Sequence, residues 1–457
     1  MPLFDLMTPI SPADLQNLKV SFDNLQGNLL KSHGRDRARH IFLTFTGSAT
    51  AAGQFLATMG ARHVVSANQQ IADTAEHKAS RNNLIFEQVL LSAAGYRYLG
   101  LVTDGFDPFF QAGMQAAQTR IFDPPPSSWQ SEFREPVHAL VIVAHDDNDR
   151  VEDREDEIRD AVQTFARVHV ETGEAIHNVN GNVIEHFGYV DGRSQPLFFQ
   201  DDVNADPHIT WNPSAGPNLI IVRDPLGKSD DDCGSYFVFR KLEQNVRGFK
   251  QHEQDLADAL GLTGGDRERA GAMVVGRFED GTPVALQNHD GLHSPVPNDF
   301  AYPVTDPAGS RCPFSSHIRK VNPRGDSVTP RVTMDGEKAH RIARRGITYG
   351  GSQGPSDNIA DNPTGGVGLL FQCCNQSLQN QFEFIQGAWA NDPNFVKPAT
   401  GEDPIIGQSR GTFTPGQWPD PWGSTNRVTF AFHSFVTLLG GEYFFCPSIT
   451  FLKSLAG

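Results

Sequence analysis

The sequence predicts an α+β fold made of two similar halves, with helices covering one face of mostly antiparallel sheets. Three observations carry this reading. Short runs rich in strand formers alternate with segments of helical spacing. The order of those runs in the first half returns, more weakly, in the second. Between the halves, near 200–215, lies a polar, proline-containing stretch with Gln200-Asp201-Asp202-Val203-Asn204 and Pro213–Pro217.

The elements follow in order. His40–Phe45 alternates and is rich in strand formers, and the Ala-rich 49–60 segment after it reads as a helix. Asn83–Leu91 and the nearly continuous apolar run Val137–Val143 read as strands. From Asp153 to about Val170, Ile158, Ala161, Val162, Phe165 and Val168 recur at helical spacing behind an acidic first turn. In the second half Gly234–Arg240 is a strand followed by a helix over 242–260. Gly368–Cys373 is a buried strand followed by a helix over Ser377–Ala390, with Leu378, Phe382, Ile385 and Trp389 on one side. Val428–Leu438 forms a further strand pair around His433. Long loops occupy 103–135 and 280–345, and loops of that length commonly carry function.

Composition limits the partners. With 38 Lys+Arg against 54 Asp+Glu, the chain carries a formal charge of −16, which disfavours nucleic acid and anionic membrane surfaces. The 457 residues can bury a sizeable core without staples. Phe (32) far outnumbers Tyr (7) and Trp (5), and Phe needs no hydrogen-bond partner when buried, so thick apolar walls are expected. Five cysteines without CxxC spacing suit a reducing compartment. No signal-like N-terminus or long apolar run is present, so the expected location is the cytoplasm, unless a leader was removed before residue 1.

Several motifs carry no chemistry. Leu226-Gly227-Lys228-Ser229 resembles the end of a phosphate loop, but the first glycine would fall at Val222, so a turn is expected. HExxH, GxSxG and SxxK are absent. Three segments are more informative. Glu185–Pro196 holds Asp191 between Gly188 and Gly192; read locally, Asp191-Gly192 is a turn. Arg311–Arg324 places His317 among Arg319, Lys320 and Arg324. Arg341–Gly350 again concentrates cations. Cations clustered in so acidic a chain point to an anionic ligand. An acid, a histidine, arginines and abundant Phe supply an iron ligand, a proton carrier and a stabiliser of developing charge.

Together these segments resemble the dye-decolorizing peroxidase family, in particular its long subgroup shared by fungi and some bacteria. The GxxDG motif is met by Gly188-Tyr189-Val190-Asp191-Gly192. The proximal segment is met by His317-Ile318-Arg319 and Asn322-Pro323-Arg324, and the distal arginine segment by Arg344-Arg345-Gly346-Ile347-Thr348-Tyr349-Gly350. Family-like stretches from Leu25–Leu30 to Gly441–Ser448 extend the likeness over nearly the whole chain.

The resemblance implies two ferredoxin-like units in a dimeric α+β barrel-like arrangement, residues 1–207 carrying the acid and 208–457 holding haem b (iron protoporphyrin IX). It implies a peroxidase that uses hydrogen peroxide to oxidise dyes, phenolics or other organic donors by one-electron steps through Compound I. His317 is the implied axial iron ligand, Asp191 the distal acid–base residue and Arg344, rather than its neighbour Arg345, the distal arginine. Leu369 and Phe371, one apart on a strand, share a face and would narrow the distal side. Arg319, Arg324 and His186 are candidates for the haem propionates, and Asp392 and Glu383 for the partner that makes His317 more basic. Tyr349 and Trp389 are candidate surface electron relays or ordinary packing residues. A haem carrier or deferrochelatase, and a cofactor-free binding module, are the competing classes.

Overall fold

In the computed structural model, which describes residues 3–80, 84–206, 208–291, 295–409 and 411–456, each half contributes four strands to the main run of the large sheet, with the short strands Val222–Arg223 and Ala343–Arg344 paired beside it. The first half supplies β1 (Arg37–Phe45), β2 (Phe86–Ser92), β3 (Ala139–His145) and β4 (Ala166–Glu174), laid side by side as β2-β3-β1-β4. The second supplies β5 (Cys233–Gln244), β6 (Ile347–Tyr349), β7 (Gly368–Asn375) and β8 (Val436–Cys446), laid side by side as β6-β7-β5-β8. Every pairing is antiparallel, and the two orders are the same permutation. The duplication expected from the sequence is therefore present in the topology.

The halves do not keep separate sheets. Phe444 and Phe445 of β8 pair with Ser92 and Leu91 of β2, fusing both units into one sheet. At its far ends β4 meets β6: a methyl group on Gly173 would stand 2.5 Å from Ile347, and Thr348 Oγ1 donates to the Glu174 carbonyl. The sheet thus curls into a barrel, leaving neither unit a long free edge. Phe42 of β1 packs edge-on against Phe239 of β5, with centroids 4.7 Å apart, and against Phe133. Much of the Phe content fills this shared core.

Helices α1 (Ala49–Arg62), α2 (Asn148–Val162) and α3 (Val246–Ala259) lie close to their expected positions, with two differences. The helix expected over 153–170 starts earlier, capped by Asp147, and ends at Val162; Val168 belongs to β4. Pairing with β1 along Ala166–Glu174 overrides the helical spacing there. The helix expected over Ser377–Ala390 is a single turn, Phe382–Phe384, continued by a π-helical stretch, Ile385–Ala390. Around His433, Arg427–Phe430 pairs with Gly416–Pro419 rather than with the strand after it. Asn83, expected to open a strand, lies outside the described residues; β2 begins at Phe86.

Leu226–Ser229 is a turn, as predicted: the Asp232 carboxylate accepts the amides of Lys228 and Ser229 at 2.6 and 2.7 Å. Among the described residues no helix is long and apolar enough to cross a membrane.

Candidate functional site

A cavity of about 600 Å³ opens against the face of β5, β7 and β8 that is turned away from the barrel interior, a size typical of cofactor sites. Segments 317–322, 341–344 and 405–409 close it, together with the 185–196 loop. Leu242, Leu369, Phe371, Ile385, Ile406 and Leu438 make much of its wall apolar. Phenylalanine is a minority there, so the expected Phe-lined wall is largely aliphatic.

The 185–191 hairpin brings the acid to the cavity. Ile184 bridges Val190, the Glu185 amide donates to the Tyr189 carbonyl, and the Asp191 amide donates to the Val183 carbonyl. The chain reverses at Gly188 (φ +100°) and turns again at Gly192 (φ +78°), both in the region that favours glycine. These two reversals are the physical content of the GxxDG spacing. Asp191 Oδ1 accepts from Arg344 Nη1 at 2.9 Å and from the Gly192 amide at 2.6 Å. Arg344 Nη2 is held by the Arg193 carbonyl at 2.7 Å. Arg345 turns the other way, donating to the carbonyls of Asn28 and Leu29.

His317 opens the short helix α4 (His317–Val321) and lines the same cavity. Its Nδ1 lies 2.8 Å from Asp403 Oδ2. Asp403 is fully buried and is fixed in turn by the amides of Ile405 and Ile406 on Oδ1, at 2.8 and 3.0 Å. A carboxylate acceptor holds the proton on Nδ1, which leaves the Nε2 lone pair for a ligand.

Arg193, Arg277, Arg341 and Arg344 give the cavity its charge. Arg277 donates to the Gly281 carbonyl, Ser194 Oγ and Asn298 Oδ1, all neutral, and its Nε is buried without a partner. Burial pushes its pKa down to about 9, helped by Arg324, Arg193 and Arg344. Arg341 donates to three carbonyls, and burial pushes it down to about 10. Buried guanidiniums held by neutral partners are stabilised by an anion. A free imidazole nitrogen, aliphatic walls and uncompensated cations together fit a haem with its two carboxylates.

Several expectations are corrected. Arg319 does not reach the cavity. Two residues beyond His317 on α4, it is turned by about 200° into the protein, fully buried against Asp306 and Asp326 at 3.1 and 2.6 Å. Arg324 is also fully buried, donating to the carbonyls of Asn298 and Phe300 and to Ser194 Oγ. His186, next to Glu185, points to the opposite face of its hairpin and donates from Nε2 to the Tyr349 carbonyl. The partner of His317 is Asp403, not Asp392 or Glu383. The Asp392 carboxylate caps the Asn394 amide, and Glu383 pairs with Arg120 and Tyr443. Tyr349 and Trp389 are not surface residues. Tyr349 is 7% exposed beneath Lys241, and Trp389 is 4% exposed, stacked on Phe395.

Asp191, Arg344, His317, Leu369 and Phe371 do meet at one cavity, although 153 positions separate Asp191 from Arg344. Glu185, Arg193, Arg277 and Asp403 escape sequence reasoning as site residues, whereas Arg341 opens the cation-rich segment already singled out. Only the glycine-flanked loop hinted at the first two, and Asp403 lies 86 positions from His317 without a local signal.

Comparison with known proteins agrees with this geometry. The family model described as the DyP dimeric alpha+beta barrel domain matches residues 24–183. The multifunctional dye peroxidase DyP2 of Amycolatopsis sp. is 44% identical, over the full length of both chains. Its solved structure superposes with a TM-score of 0.93, covering 99% of this chain and 100% of that one. The DyP-type peroxidase of Anabaena sp. superposes at 0.91 with 36% identity, covering 98% and 97%. A dye-decolorizing peroxidase solved with 2,6-dimethoxyphenol superposes at 0.79 with 29% identity, covering 95% and 99%. Likeness of this extent, in sequence and in backbone, leaves one family: the chain belongs to the dye-decolorizing peroxidases and is a DyP-type peroxidase, a family whose members use haem.

Proposed function

We propose that the cofactor is haem b, held by His317 through Nε2 with its propionates toward Arg193, Arg277 and Arg341, and that hydrogen peroxide is reduced between Asp191 and Arg344. The observation that carries this reading is the Asp191–Arg344 ion pair, 2.9 Å long, lining the cavity that His317 also lines. When bound, the haem supplies the iron that takes peroxide and stores the two oxidising equivalents. The chain's own residues do the rest. Asp191 accepts the proton of the peroxide oxygen nearer the metal and returns it to the far oxygen, which leaves as water. Arg344 holds that carboxylate in place and offsets the negative charge that develops on the departing oxygen. Leu369 and Phe371 keep the space near Asp191 small and apolar, admitting peroxide and excluding large donors. Asp403 keeps His317 in the tautomer that binds metal and raises its basicity.

Dyes and phenolics are the proposed donors, supported by the names of the relatives and by the one solved with 2,6-dimethoxyphenol. Residues 1–207 then supply the acid and Arg193, and 208–457 supply Arg344 and the other residues that hold the haem. A cytoplasmic location is the further proposal, supported by five cysteines that are all free and buried; cell fractionation tests it.

The deciding experiment is absorbance spectroscopy of the purified protein with its Asp191→Asn, Arg344→Leu and His317→Ala variants. A Soret band lost in His317→Ala, and peroxide reactivity lowered about 10²–10⁴-fold in the other two, are expected. Unchanged peroxide reactivity with haem still bound would replace the proposed roles by a haem-handling one.

A further inference from the structure

One cavity-lining carboxyl has no role in the proton transfer described above. Glu185 sits on the same hairpin as Asp191, two rungs away: Glu185 faces Tyr189 across the hairpin, and Asp191 faces Val183. Alternation puts both side chains on one face, and both line the cavity. Diagonal neighbours in such a pairing stand roughly 7–8 Å apart, a gap that a short chain of water bridges.

Glu185 is also held in an unusual way for a carboxylate. It accepts from the Phe187 amide (Oε2, 2.9 Å), the Tyr189 amide (Oε1, 3.1 Å) and Gln244 Nε2 (Oε2). No cation touches it among the described residues. Lys250 of α3 is near but is bound to Glu253 and Glu279, at 3.0 and 2.6 Å. The other titratable groups around it are Tyr189 and His186 on the loop and, on the same cavity, the Asp191–Arg344 pair. Gln244 Oε1 is buried without a donor, so a proton on Glu185 has an acceptor close by once the amide turns over. Burial is the main reason that its pKa is pushed up to about 7.

The reaction has a use for such a group. Reducing one hydrogen peroxide to two waters takes two electrons and two protons. The two protons of peroxide leave with the first water, one already on the departing oxygen and the other brought to it by Asp191. The remaining oxygen becomes the second water only when two donor molecules have each given one electron and two further protons have entered the cavity. Asp191, paired with Arg344, is a carrier of protons rather than a store. We propose that Glu185 is the proton-supplying carboxyl of this cavity, passing protons through water to Asp191 during the two donor-dependent steps and regaining them from solvent. The inference rests on the role proposed above for Asp191.

The test uses the holoenzyme with Glu185→Gln. This change keeps an acceptor for the Tyr189 amide, and Gln244 can turn its unpaired oxygen toward the new NH₂ group, but the Phe187 amide loses its acceptor; an unchanged Soret band and thermal midpoint therefore serve as the check that the loop is retained. Glu185→Asp, which withdraws the carboxyl by one methylene, serves as the partial variant. Infrared difference spectra across pH 5–9 should show a protonated-carboxyl band in the parent that fades near pH 7 and is missing in Glu185→Gln. In sequential-mixing stopped flow, the donor-dependent phases should slow about tenfold and lose their pH break near 7. Glu185→Asp should fall between, while the peroxide phase keeps its dependence on Asp191. A parent without a carboxyl titrating near neutrality, or donor phases unchanged in rate and pH profile in Glu185→Gln, overturns the proposal. Failure of the Asp191 role shows separately, as an undiminished peroxide phase in Asp191→Asn.

Discussion

Replacing Asp403 by Asn tests how the proximal side is built. Oδ1 of Asp403 accepts two backbone amides, and Oδ2 accepts the Nδ1 proton of His317 at 2.8 Å, on a carboxylate that is itself fully buried. An asparagine can keep the two amide bonds only by presenting its NH₂ group to Nδ1–H, donor against donor. The imidazole then adopts the other tautomer, which puts a proton on the nitrogen proposed to bind iron, or swings away. A hydrogen bond to a charged acceptor contributes about 1.5–3 kcal/mol, so haem retention should weaken roughly 10- to 100-fold. Losing the negative partner also favours ferrous over ferric iron. A tenfold change in that balance is about 60 mV for one electron, so the potential should rise on the order of 60–120 mV. Haem transfer to an excess of a scavenging apoprotein and a spectroelectrochemical titration read both quantities. Unchanged transfer rates together with an unchanged potential would refute the claim that Asp403 sets the state of His317.

Four other substitutions read other parts of the molecule. Arg277→Leu removes a buried cation with only neutral partners, and should speed haem loss about tenfold in the same transfer assay while raising the thermal stability of the haem-free protein. Phe371→Ala should enlarge the space beside Leu369 and let bulky donors react near the haem, seen as a lower KM for large dyes without a matching change for peroxide. Gly368→Ala would put a methyl group 2.0 Å from the Leu242 carbonyl where β7 meets β5, and should cost about 1–3 kcal/mol or more in denaturant unfolding. Asp224 is buried, and burial pushes its pKa up from 3.8 to about 6. A raised folded-state pKa favours folding at low pH, so this contribution should be lost as pH rises from about 4 to about 6. The loss is about 3 kcal/mol at most, and Asp224→Asn should flatten that slope in unfolding titrations.

Local chemistry was legible wherever it is written in consecutive residues. The strand order was foreshadowed by apolar runs such as Val137–Val143, which became β3, and GxxDG foreshadowed a loop with two left-handed glycines. Choosing Arg344 over Arg345 matches which side chain meets Asp191, because neighbours on an extended segment face opposite ways. Charge alone was a poor guide to which side chains line the cavity. Arg319 and Arg324 lie beside His317 in sequence, yet the helix and the turn after it direct both inward. Arg277, in an unremarked stretch, is one of the guanidiniums that line the cavity.

The sequence by itself therefore determined the duplicated α+β pattern and, through the family resemblance of their motifs, singled out the His317 segment and the acid loop, since each is written within a few consecutive residues. Only the tertiary structure decided that the two sheets join into one barrel, that Asp403 stands behind His317, and which cations face the cavity. Those outcomes depend on where distant segments come to rest, and a side chain's direction follows from the packing that fills the space around it.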